Sequence, residues 1–170
     1  PGGEKGPRRG SSAIEAAMLL PVMFVLLVGM VEIARVTYTY YMLQKMLYQL
    51  ARYVGTQQGV NFCDESDPVL VAAKNYAVTG TEDGSNDPLL TNLSADMIQV
   101  RIERYSRDTG ELGVCDCSVS GCDSASGGTA PDFIVVTIPD GYTVTLAIPP
   151  AIVEEIPLKP QIRVPFGGTS

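Results

Sequence analysis

Residues Arg8 to Val36 read RRGSSAIEAAMLLPVMFVLLVGMVEIARV. No charge falls between Glu15 and Glu32, and only Pro21 and Gly29 interrupt the Leu, Val, Met, Phe and Ala between them. A helix rises about 1.5 Å per residue, so about 20 such residues cross a bilayer core of about 30 Å. Ala13 to Ile33 meets that length, with Glu15 and Glu32 near the two interfaces. Arg8 and Arg9 stand at one end, and the bulk of the chain lies past the other. The positive-inside rule therefore keeps the arginines cytoplasmic and exports the chain beyond Ile33. A secretory signal peptide would end in a small-residue cleavage site and a polar break. Here the apolar pattern runs on, so the stretch reads as a membrane anchor.

Beyond the anchor, Val36, Tyr40, Leu43, Leu47, Leu50 and Val54 recur at steps of four and three. That is one face of an amphipathic helix, with Gln44, Lys45, Gln49 and Arg52 off it. Gly55 and then Gly59 are its terminators. The whole helix, Ser12 to about Gln57, would be about 65–70 Å long. An apolar stripe that outlasts the bilayer favours bundling with other helices. Tyr38, Tyr40 and Tyr41 cluster where aromatic rings favour the membrane interface. The chain thus divides into a basic cytoplasmic leader (1–10), a transmembrane and stalk helix (11–57) and an exported head (58–170). An initiator Met removed before Pro1 would be ordinary, so the leader is expected to be short and complete.

The chain has 170 residues, no His and no Trp, and a formal net charge of -7. From Gly55 onward six basic residues face sixteen acidic ones. An acidic surface of this kind repels nucleic acid. Without imidazole, acid–base chemistry near neutral pH lacks its usual group. No P-loop, nucleophile elbow or H-E-x-x-H is present, and no enzyme activity or cofactor is expected. Asp64, Glu65 and Asp67 offer oxygen ligands without EF-hand spacing. Glu154 and Glu155 are adjacent and point apart, as solvated surface residues do. No metal is expected at these carboxylates or at the irregularly spaced thiols.

All four cysteines, Cys63, Cys115, Cys117 and Cys122, lie on the exported side, and an even number there implies two disulfides. A Cys115–Cys117 bridge would close a very small, strained ring. Two pairings remain: Cys63 with Cys115 or with Cys117, and Cys122 with the other.

The head reads as α+β, a small disulfide-stapled unit with an antiparallel sheet. Asp67-Pro68 marks an N-cap and first helical position, so Val69–Val78 is a short helix. Gly80–Asp87 is a loop. Met97–Tyr105 alternates as a half-buried strand. Asp108–Asp132 is a surface excursion. Phe133–Ile138 is an apolar strand, Asp140-Gly141 a hairpin signal and Tyr142–Ile148 the expected partner strand. Ala151–Ile156 is read as a helical turn, and Leu158–Phe166, with Pro160 and Pro165, as an edge strand.

Glu15 stands out, because a carboxylate just inside an apolar span is costly without a partner or a function. Basic residues, Gly10, then Glu15 as the fifth residue after it, is the pattern that a prepilin peptidase recognises. Cleavage between Gly10 and Ser11 would leave an ammonium on Ser11 that can pair with Glu15 of a neighbour and set axial register. R-R-G-S-S-A-I-E-A-A-M-L-L-P-V-M-F, with Glu32, Arg35 and L-A-R-Y at Leu50–Tyr53, resembles the TadE-like proteins, pseudopilins of bacterial tight-adherence (Flp-type) pili. Ala16 stands where that family usually has an aromatic residue. The resemblance implies a short leader, one N-terminal membrane helix, an exported α+β domain and a part in pilus assembly. The expected partners are membrane lipid, other pilin-like subunits and a prepilin peptidase. The expected location is the bacterial inner membrane, with the head outside the cytoplasm, or a surface filament. A membrane-anchored extracytoplasmic binding module is the competing reading.

Overall fold

α1 (Arg9–Gly55) is one continuous helix of 47 residues. It belongs to a computed structural model that describes residues 9–106, 109–118, 123–146 and 155–167. Pro21 lies inside it. Having no N–H, Pro21 leaves the carbonyl one turn back without its helical donor. The observed ends lie within a few residues of those expected from the apolar pattern.

Leu43, Leu47, Leu50 and Val54 are all buried, and Met46 and Ala51 join them. They share one core with Leu70, Ala73, Ala77 and Val78 of α2 (Pro68–Thr79) and with Ile102, Ile134 and Val136 of the sheet. This corrects the expectation that the stripe bundles with other helices. The head of the same chain fills it, and only Tyr40 near its start stays open. α2 forms as its caps dictate. The Asp67 carboxylate accepts from the N–H groups of Val69 and Leu70, Pro68 opens the first turn, and Gly80 closes the helix at φ 78°.

The strands are β1 (Gln99–Tyr105), β2 (Leu112–Val114), β3 (Phe133–Thr137), β4 (Tyr142–Thr145), β5 (Glu155–Leu158) and β6 (Gln161–Pro165). One sheet has the order β2-β1-β3-β6, and β4 pairs with β5 in a second; all pairings are antiparallel. Ile102, Ile134 and Val164 stand in register on the core side, as do Val100, Val136 and Ile162. The α+β class, the disulfide and the antiparallel sheet match the expectation.

Three strand assignments are corrected. β3 and β4 do not form a hairpin. Gly141, at φ 86°, closes a turn onto the Ile138 carbonyl, but both edges of β3 are already taken by β1 and β6. Glu155 and Ile156, expected in a helical turn, are strand. Ile156 stands opposite Val144, and Glu155 is exposed. Ala151–Glu154 lie outside the described residues, as does the end of the expected strand at Ala147 and Ile148. The run Leu158–Phe166 is divided at Lys159-Pro160 into the end of β5 and all of β6. β6 is a sheet edge carrying Pro165, the position where a missing donor is tolerated.

Polar contacts fasten this arrangement. Glu103 is buried, and Arg163 forks onto it with Nε–Oε2 at 2.8 Å and Nη2–Oε1 at 3.0 Å. That pair ties β6 to β1 across β3. Asp123 is fully buried, and its carboxylate accepts the N–H of Phe62 and that of Ala125. Cys63 is bonded to Cys117, one of the two partners left open by spacing. Cys115 is also disulfide-bonded, and Cys122 lies outside the described residues.

Leu47→Ala removes a side chain that is 1 % exposed at the centre of this core. It should cost about 2–5 kcal/mol in denaturant unfolding of the detergent-solubilised chain. Replacing Cys63 and Cys117 by Ser frees a loop with a sequence separation of 54 and should cost about 2–5 kcal/mol by the same measurement. No change in either case would contradict this packing.

Candidate assembly site on the long helix

The N-terminal part of α1 leaves the head and carries its apolar side chains in the open. Ile14, Met18, Leu19, Leu20, Phe24 and Leu27 are all more than half exposed. The exposed positions run around the whole helix between Ala13 and Leu27 rather than along one stripe. A helix apolar all round needs an apolar surrounding, either lipid or other helices. Ala13–Gly55 contains a window long and apolar enough to cross a membrane, and none of that window is buried by the chain itself. Cover begins at Val28 and Gly29, which are half-buried, and Glu32 is buried where the head starts.

Gly10 and Ser11 lie in the first turn of α1, and Glu15 is exposed one turn further on. The helix thus brings the expected processing point and the expected register residue to one end of the apolar segment, away from the cysteines. Tyr38, Tyr40 and Tyr41 are exposed just past Glu32. Residues 10–52 match the family of TadE-like proteins. The matched segment covers nearly all of α1 and stops before the remaining elements of the head. No curated protein and no solved structure matches the chain.

The acidic loops of the head are built on local hydrogen bonds. Asp67, grouped with Asp64 and Glu65 as a set of oxygen ligands, is engaged by α2 and by the N–H of Asn61. Among the described residues no group of three or more His, Cys, Asp or Glu is placed to hold a metal ion. Sequence reasoning missed Asp123. Its signal was the D-S-A-S-G run, in which an aspartate opens a tight turn whose glycine takes φ 79°.

Asp64 and Asp116 are held below the ordinary aspartate range by the hydroxyls and then the N–H groups of Ser66 and Ser118. Asp83 is held down by the Ser85 N–H first and its hydroxyl second. A depressed carboxylate stabilises the fold above the unfolded value, and that contribution is lost as pH falls through the folded value. All three should titrate below 3.8 when their side-chain carbons are followed by NMR. Midpoints at or above that value would show that the serine bonds do not form.

Proposed function

We propose that this chain is a structural, non-enzymatic subunit of a tight-adherence type pilus or related filament. α1 anchors it in the inner membrane, and its head lies outside the cytoplasm. The observation that carries this reading is an apolar helical segment, open on every side, joined without a break to a folded, disulfide-bonded head. The TadE-like match over that helix supports the pilus context. The oxidised cysteines agree with an exported head.

In this reading a peptidase cuts between Gly10 and Ser11, and the new Ser11 ammonium pairs with Glu15 of a neighbouring subunit. That contact fixes how far one helix rides along the next. A carboxylate at the rim of an apolar medium gains most from a partner of opposite charge.

A reporter fused after Val54 should be active only outside the cytoplasm, and reversing the charges of Arg8 and Arg9 should impair that orientation. Intact mass should show loss of Pro1–Gly10. Glu15→Ala should still insert in the membrane but lose capture of a tagged partner subunit by about tenfold or more, the scale of a charge pair held away from water. A cut chain whose Glu15→Ala variant assembles normally would overturn the register role. An anchored, uncut monomer would favour the binding-module reading.

A further inference from the structure

α1 carries a second stripe, on the side turned away from the core of its own head. Ala34, Tyr38, Tyr41, Lys45, Tyr48 and Arg52 succeed one another at steps of four and three, so they share one helix face. Every one of them is exposed, with Tyr38 at 64 %, Tyr41 at 66 % and Tyr48 at 48 %. Among the described residues, neither Lys45 nor Arg52 is paired with a carboxylate of its own chain.

Headgroup anchoring accounts for only the start of this stripe. At the helical rise, Tyr48 stands about 24 Å and Arg52 about 30 Å beyond Glu32. The interfacial layer on each side of a bilayer is about 5–8 Å thick. Lys45, Tyr48 and Arg52 are therefore held in water, as three tyrosine-and-cation positions in line with Tyr38 and Tyr41. Tyr and Arg on a rigid helix are the residue types that anchor protein contacts, and among the described residues none covers them here.

The rest of the head has the opposite charge. Past Gly55, six basic residues stand against sixteen acidic ones. Asp64, Asp83 and Asp116 stand exposed on the head, each beside a serine that hydrogen-bonds its carboxylate. We propose that the outer face of α1, from Tyr38 to Arg52, docks on the acidic head surface of a second copy of this chain. The charges of the two surfaces are complementary. The two surfaces are different parts of one chain, so the contact is head-to-tail and can repeat without closing. This inference rests on the filament-subunit reading and names the surface that would join its heads.

The test uses the full chain, purified and reconstituted in lipid vesicles without any pilus machinery. Copies with natural and heavy nitrogen are mixed and treated with a carbodiimide, which joins an amine to a carboxylate in direct contact. Mass spectrometry should find Lys45 of one copy linked to Asp or Glu of the other. Lys45→Arg should lose the link while copies still associate, as read by energy transfer between labelled heads. K45E/R52E should associate about tenfold more weakly, and added salt should weaken the unaltered chain in the same direction. Tyr48→Ser, which leaves the charge untouched, should also weaken association and serves if the charge variant fails to fold. The proposal is overturned if Lys45 links only within its own copy, or if the folded variants associate as tightly as the unaltered chain. Loss of partner capture in Glu15→Ala alongside either result would leave the pilus reading standing and remove only this docking surface.

Discussion

Leu43, Leu47, Leu50 and Val54, pressed against α2 and β3, hold the molecule together as one piece. Each fully buried aliphatic side chain is worth about 1.5–3 kcal/mol of burial. Their place on α1 means that the rod is a structural part of the head as well as the shaft beneath it. A helix has only one such face to give. Once it is spent on the core, the sides left over are determined, and so is the direction in which the apolar N-terminal segment leaves.

Charged and polar groups finish what the core begins. The Arg163 fork is partly open to water, while Glu103 is not, so removing the arginine would strand a covered carboxylate. Asp123 performs a similar service without a cation, taking the Phe62 N–H that the turn would otherwise leave unmatched. Both contacts join segments far apart in sequence. The segment after β6 also returns to the rod, where the N–H of Gly167 meets the carbonyl of Gly55 at 3.2 Å.

Elements with local causes could be read from the sequence, and those decided by competition could not. The extent of α1 comes from composition, and the start of α2 from Asp67-Pro68. β1, β3 and β6 announce themselves by alternation and apolar content. The partner of β4 did not, because Asp140-Gly141 states that the chain turns but not which strands already flank β3. β2 is three residues in a stretch rich in Gly, Ser and Asp, too short for a period to show. That Gly10, Ser11 and Glu15 come together at one end of α1 follows from the same uncharged run, while their roles in processing and register belong to the proposal. The partner of the Leu43–Val54 stripe was misread, since an apolar face says that it wants cover and not who supplies it.

The Cys63–Cys117 bond encloses α2, β1 and β2 in a covalent ring. The exposed Thr81–Asp87 loop lies inside that ring and is the natural place for a protease to enter. A single cut there would open the ring without dividing the molecule, because both sides of the nick remain joined through sulfur. Two fragments would separate only after reduction. A head nicked in this loop would thus still keep α2 and the sheet attached to the rod.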